Sequence, residues 1–139
     1  MLLDEVAGEL ISQGVGVAGS TAAWVVAKGY EPATPDRVIV LYETGGFPNE
    51  GLSTGTVDRP TFQLRVRGPV NMQTAGAYST ARVKIGAARV ALDAVLNKSL
   101  SGWKYIHIKA QSEPLFLGYD NTDRPTLAIN FQALRSRTS

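Results

Sequence analysis

The 139-residue sequence predicts an α+β domain, an antiparallel β-sheet with a long β-hairpin loop, packed against two α-helices. Two stretches carry apolar residues at three- and four-residue spacing, whereas six shorter runs alternate or are apolar throughout. The helices are grouped instead of alternating with each strand, which favours segregated layers over a parallel doubly wound sheet. Thr44 to Pro60 is rich in Gly, Pro, Ser, Thr and Asn, and is longer than an ordinary hairpin connection.

Leu3, Val6, Ala7, Leu10 and Ile11 make one face of a first helix, and Asp4 and Glu5 lie early enough to complement its dipole. Gly14 stops it. Val15 to Tyr30 fits a loop and then a short strand around Trp24 to Val26. After Pro32 and Pro35, Arg37 to Glu43 is apolar on both faces, as a buried central strand is. Phe62, Leu64 and Val66 alternate with Gln63, Arg65 and Arg67, predicting a half-buried strand from Thr61 to Arg67. From Met72 to Leu96 the period becomes helical, with Tyr78, Ala81, Ile85, Ala88, Leu92 and Val95 on one face. Three further strands follow a turn at Ser99 to Gly102: one in which Ile106, Ile108 and Ala110 alternate with Tyr105, His107 and Lys109, then Leu115 to Tyr119 and Leu127 to Ala133. They form an antiparallel meander. Asp58-Arg59-Pro60-Thr61 recurs as Asp123-Arg124-Pro125-Thr126, each before an alternating run, and reads as turn chemistry at the start of a strand.

Composition narrows the function. Hydrophobic residues at 44% and charged residues at 19% describe one globular unit. A net charge of +2 supplies no field that would gather nucleic acid. Arg65, Arg67, Arg82, Lys84 and Arg89 fit solvated faces, with a DNA-contacting patch as the alternative. Without cysteine there are no disulfides, thiolate nucleophiles or thiolate metal sites. Met1 to Gln13 lacks the basic start of a signal peptide, and no stretch reaches the roughly 20 apolar residues of a membrane span. A soluble protein, made in the cytoplasm, is the expectation.

Catalytic constellations are sparse. His107 is the single histidine, so any triad or imidazole metal site depends on it. Flanked by Ile106 and Ile108 and sharing a face with Tyr105, it reads as a sheet-surface or interface residue. A small enzyme would instead need a concave polar pocket around it. Asp120-Asn121-Thr122-Asp123 lacks the glycine and bidentate glutamate of a calcium loop and reads as a turn. Gly14, Gly16 and Gly19 have dinucleotide-loop spacing but follow a helix instead of a strand. No catalytic residue, cofactor or metal is assigned.

Leu2-Leu3-Asp4-Glu5-Val6, Ile39 to Gly46, the block Asp58 to Gly68, Gly118-Tyr119-Asp120 and Arg124 to Phe131 occur in an order that resembles the tail-terminator and minor capsid (tail completion) proteins of long-tailed bacteriophages. The resemblance spans nearly the whole chain, residues 1–139, as one tail-terminator-like domain. It implies a structural virion protein, not an enzyme, forming a ring, usually of six subunits. Such a ring caps the head-proximal end of the tail tube, ends tube polymerisation and joins the tail to the head connector. The implied partners are further copies of the chain, the major tail tube protein and a head-side connector or stopper protein; packaged DNA passes through the lumen without sequence-specific binding, and no membrane is involved. Localisation follows as the tail or neck of the virion, after the host cytoplasm. Another neck, head-completion or adaptor protein is the alternative. Phe47, Leu52 and Val57 are the apolar residues, and Arg59, Arg65 and Arg67 the polar rim, of the expected ring or tube interface. Glu43, Glu50 and Asp58 are candidates for an acidic lumen lining.

Overall fold

The computed structural model describes residues 2–19, 23–47, 57–72 and 75–137. Its elements in order are α1 (Leu2–Ser12), β1 (Val25–Lys28), β2 (Val38–Phe47), β3 (Val57–Arg67), α2 (Ala77–Asp93), β4 (Leu96–Leu100), β5 (Trp103–Ala110), β6 (Leu115–Tyr119) and β7 (Pro125–Arg137). They build the expected α+β layers. One seven-stranded sheet runs β1-β2-β3-β7-β5-β4, and both helices pack on it.

The sheet is mixed, not wholly antiparallel as expected, because β1 runs parallel to β2, from Val25 opposite Val38 to Lys28 opposite Leu41. Alternation tells which face a residue occupies but not which way its strand runs. The other pairings are antiparallel. At the centre is β7, whose 13 residues pair with β3 along one edge. Its other edge is shared end to end: β6 covers Pro125 to Ala128 and β5 covers Phe131 to Arg137.

Alternating residues place Ile39, Leu41, Phe62, Leu64, Val66, Leu127, Ile129 and Phe131 on the helix-facing side, where all are buried. Phe62 and Phe131, directly opposed on β3 and β7, stack with centroids 5.2 Å apart at 12°. Leu3, Val6 and Leu10 from α1, and Ala81, Ile85, Ala88 and Leu92 from α2, close the core. The opposite side of β2 is also apolar: Val38 and Val40 form a small second cluster with Ala27, against which Tyr42 packs. This double burial is what the uninterrupted run Arg37 to Glu43 predicts.

Several boundaries differ from the sequence reading. α2 starts at Ala77, not Met72, because Gly76 takes a left-handed φ of 74° and its carbonyl receives the Thr80 N–H at 2.9 Å. Tyr78 falls at the flank of the buried face and is exposed. The helix ends at Asp93, and Leu96 to Leu100 forms a strand that was expected as helix end and turn. In β5 a bulge shifts the register between Tyr105 and His107, so Tyr105 and Ile108 both face the core and His107 does not share a face with Tyr105. The expected loop from Thr44 to Pro60 is shorter at both ends, since Thr44 to Phe47 and Val57 to Pro60 belong to strands.

The stacked pair of phenylalanines supplies a direct test of this core. Phe62→Ala is expected to cost about 3–5 kcal/mol, the usual loss for truncating a buried aromatic, read as a lower urea midpoint at unchanged slope.

Candidate assembly surfaces

Beyond Glu43, β2 continues beside β3 with Thr44, Gly45 and Gly46 exposed, while Val57 and Asp58 of β3 still pair with β7; the two strands are the root of the connecting arm. Its base is bent. The β2 register shifts between Glu43 and Gly45, and Gly46 lies against Pro60 with φ 120°. A Cβ on Gly46 would stand 2.5 Å from the Arg59 carbonyl oxygen and 2.8 Å from Pro60 Cα, so only glycine fits. Pro60 has no N–H to give, and the β3–β7 pairing skips Arg59 and Pro60 before resuming at Thr61. The first Asp-Arg-Pro-Thr copy therefore lies inside a strand, not ahead of one. Only the second behaves as expected: Asp120 Oδ1 accepts the N–H groups of Thr122 (3.0 Å) and Arg124 (2.9 Å), and Pro125 opens β7.

Among the described residues, the expected interface positions are spread along β2 and β3. Phe47 pairs with Arg59 on the arm, and Val57 sits beside Ser136 of β7. Leu52 and Glu50 lie outside the described residues. Arg59 and Arg67 are eight positions apart in one strand, about 27 Å at the rise of an extended chain. Arg65 stacks its guanidinium 5.1 Å from the Tyr42 ring centroid and donates through Nε to Gln63 at 2.7 Å. Arg67 is no rim residue. It is 2% exposed, pairs with Glu31 at 3.2 Å and donates to the carbonyls of Asp36 (2.9 Å) and Pro35 (2.7 Å). Burial, then the neighbouring Arg124 guanidinium, lower its pKa from the ordinary value. Arg124 binds the same connection, donating to Ala33 O at 2.9 Å and pairing with Asp36 at 3.2 Å. The two arginines fasten the β1–β2 connection across the far side of the sheet.

A second charged cluster fixes the arm to the body. Arg135 of β7 pairs with Asp58 of β3 (3.2 Å) and Glu5 of α1 (3.3 Å), and its guanidinium lies 4.0 Å from the Trp103 ring centroid. Tyr105 donates its hydroxyl to Glu5 at 2.7 Å. Burial, reinforced by that bond to Glu5, pushes the Tyr105 phenol far above its ordinary value. Burial works against the Arg135 cation too, but the bonds to Asp58 and Tyr105 outweigh it and raise its pKa. Asp58 is thereby tied down intramolecularly. Sequence reading missed this group because its members are 30 to 130 positions apart. A partial signal existed: Glu5 follows Asp4 but sits beside Val6, toward the apolar face of the first helix.

His107 does border a cavity, of about 480 Å³, with Arg89, Asp93, Leu96 and Lys109. Arg89 is held by Asp93 (3.6 Å) and Glu113 (2.8 Å). The imidazole Nδ1 is buried and makes no hydrogen bond within the described residues. A base activating a nucleophile needs a hydroxyl within hydrogen-bonding reach, and this imidazole nitrogen has none. Among the described residues no group of three His, Asp or Glu side chains could hold a metal ion.

What the described surface does offer is apolar area. Tyr78, Phe116 and Tyr119 meet edge to face at 5.2 and 5.4 Å, and Leu115 and Leu117 are exposed beside them on β6. Val83 and Val90 point outward from α2 at 73% and 72% exposure. Such clustering marks contact surfaces more than isolated exposed side chains do.

A family model described as bacteriophage tail terminator protein matches residues 9–137. Among solved structures, a chain of the virion of a native gene transfer agent particle superposes with a TM-score of 0.68 at 16% identity, covering 97% of this chain and 94% of that one. A second solved chain superposes with a TM-score of 0.55 at 13% identity, covering 96% and 94%. At such identities the likeness concerns the fold. No curated protein matches.

Two substitutions probe the charged clusters. Arg135→Met strips Glu5 and Asp58 of their shared cation and is expected to cost about 3–5 kcal/mol in urea unfolding at neutral pH. Burial alone would raise the Asp120 carboxyl, but the bonds from Arg124 and Thr122 hold it below 3.8. Its stabilisation is therefore complete above the unfolded value of 3.8 and lost as pH falls through the lower folded value. Asp120→Asn is expected to be the less stable protein at pH 7, with the gap closing in unfolding curves taken at successively lower pH below 3.8.

Proposed function

The chain belongs to the bacteriophage tail terminator family, and on that premise we propose that it forms a ring, of six subunits, which caps the head-proximal end of the tail tube. The chain is a structural protein of the virion tail. In the proposed ring, residues 1–139 act as one tail-terminator domain, through surfaces and not through turnover. Closing the ring ends tube polymerisation, and the free face receives the head-side connector or stopper protein. The major tail tube protein binds the opposite face, and packaged DNA passes through the lumen without sequence-specific contact. Before assembly the subunit resides in the host cytoplasm.

The observation that supports this reading best is the arm. Its strands are joined by Thr44 Oγ1 to Thr61 Oγ1 at 2.7 Å, bent at Gly46 and Pro60, and anchored through Asp58 to Arg135. A connection whose two ends are held in this way suits a lever that reaches a neighbour. Phe47, Leu52, Val57 and Arg59 are the contact residues proposed on it, with Arg65 further along β3 on the same strand face as Val57 and Arg59. Family membership supports the tail; the arm supports contact with a neighbouring subunit or the tube.

Deleting Phe47 to Thr56 separates the arm from the fold. The purified variant is expected to unfold at nearly the temperature of the unmodified chain. Supplied to an infection lacking the gene, it is expected to leave overlong tails detached from filled heads in electron micrographs. Tails of normal length joined to heads would refute the arm's role.

A further inference from the structure

The row β1-β2-β3-β7-β6 carries an apolar surface at each of its two edges. At the β6 edge, Phe116 and Tyr119 project with Tyr78, and Leu115 and Leu117 are exposed on the opposite face of the strand; Phe116 is 41% exposed. Among the described residues β6 pairs only with β7, which leaves its other edge without a strand partner there. This is an apolar ridge on an edge that no other described strand covers.

At the β1 end there is a hollow of about 410 Å³, lined by Trp24, Ser79, Thr80, Val83 and Lys84. Trp24 holds a left-handed φ of 64°, a costly conformation for a bulky residue. Backbone bonds on both sides hold it there: its N–H donates to Arg37 O at 2.8 Å, and its carbonyl accepts from Val17 at 3.0 Å. The backbone that carries the half-exposed indole is thus fixed beside α2 before any partner arrives. Fixed aromatic rings in hollows are the usual anchors of protein contacts, since little side-chain entropy remains to be lost.

The charges match as well. Lys84 extends its ammonium to Val15 O at 2.9 Å and stands 5.1 Å from the Trp24 ring centroid, with no carboxylate partner among the described residues. Burial lowers its pKa, which a carboxylate brought by a partner would counter. At the ridge, Asp123 follows Tyr119 by four positions and has no cationic partner among the described residues. Ridge and hollow lie on opposite flanks of α2, Tyr78 turned to one and Thr80 and Lys84 to the other, and β6 and β1 are the outer strands of the row β1-β2-β3-β7-β6, in which β6 shares the edge of β7 with β5. A head-to-tail ring needs two different patches facing away from each other on every subunit, whereas a twofold dimer needs one.

We propose that the Phe116–Tyr119 ridge of one copy seats in the Trp24–Val83 hollow of the next, making this the subunit contact of the ring. The inference rests on the ring proposed above. It commits the occupant of the hollow to a second copy of this chain, with Asp123 brought toward Lys84.

The chain contains no cysteine, so introduced thiols react alone. Val83→Cys and Phe116→Cys replace exposed side chains, and retained thermal unfolding checks the fold of each. With tail tubes present and a short bismaleimide added, the double variant is expected to give a covalent ladder from dimer to closed ring. An equimolar mixture of the two single variants is expected to stop at a dimer containing one of each, and either single variant alone at monomer. Capped tubes in micrographs without that ladder overturn this contact while leaving the ring reading intact. Dimers from one single variant alone, as abundant as in the mixture, overturn it in favour of a like-to-like contact. If the unmodified chain caps no tubes, the ring reading fails and this contact fails with it.

Discussion

The guanidinium of Arg135 has to satisfy two carboxylates from distant parts of the chain at once, Glu5 on α1 and Asp58 at the root of the arm, while its face covers Trp103. Burying such a group is expensive, and a buried ion pair often contributes little net stability compared with an apolar replacement. What it does supply is geometry. A guanidinium offers donors in a fixed planar fork, so the positions of α1, β3 and β5 relative to β7 are set together. Tyr105, wholly buried, completes the set by donating to Glu5. The β3 root of the arm is thereby held against β7 at Asp58.

That anchoring matters for the contact role proposed above. A two-stranded ribbon alone is marginal in water and twists freely. Here the close approach of Gly46 to Pro60, the Thr44–Thr61 hydroxyl bond and the Asp58 ion pair concentrate constraints where the ribbon departs. At the opposite end of β3, Arg67 and Arg124 bind the β1–β2 connection with backbone carbonyls and carboxylates. One strand is thus pinned at both ends by arginines, and the core between them is held by apolar packing around Phe62 and Phe131. In a ring, strain applied at the arm would be carried to the sheet and not absorbed by a loose root.

Much of the architecture was legible because it rests on periodicity. The faces of α1 and α2, the doubly apolar β2 and the alternation of Phe62, Leu64 and Val66 follow from side-chain spacing. What escaped depends on backbone detail or distant partners. The direction of β1 leaves no trace in four residues, and the bulge before His107 moves one face of β5 without altering its composition. Strand β4 was hidden because Leu96 continues the helical pattern, although Asn97 and Ser101 take left-handed φ values that break it. Arg67 looked like a rim residue because alternation places it outward; the β1–β2 connection that covers it could not be foreseen. For the assembly surfaces, the sequence indicated the arm through its unusual length. It did not indicate the Trp24 hollow, which depends on α2 lying beside a tryptophan more than 50 positions earlier.

The central claim is that copies of this chain close the tail tube as a ring at its head-proximal end. Electron cryomicroscopy of intact particles, reconstructed at the head–tail junction, measures this directly. The account predicts a ring there into which this fold fits, with each hairpin arm lying on the neighbouring subunit or on the first tube ring. A junction built wholly of other proteins, or this fold found there as single copies without contacts between them, would contradict it.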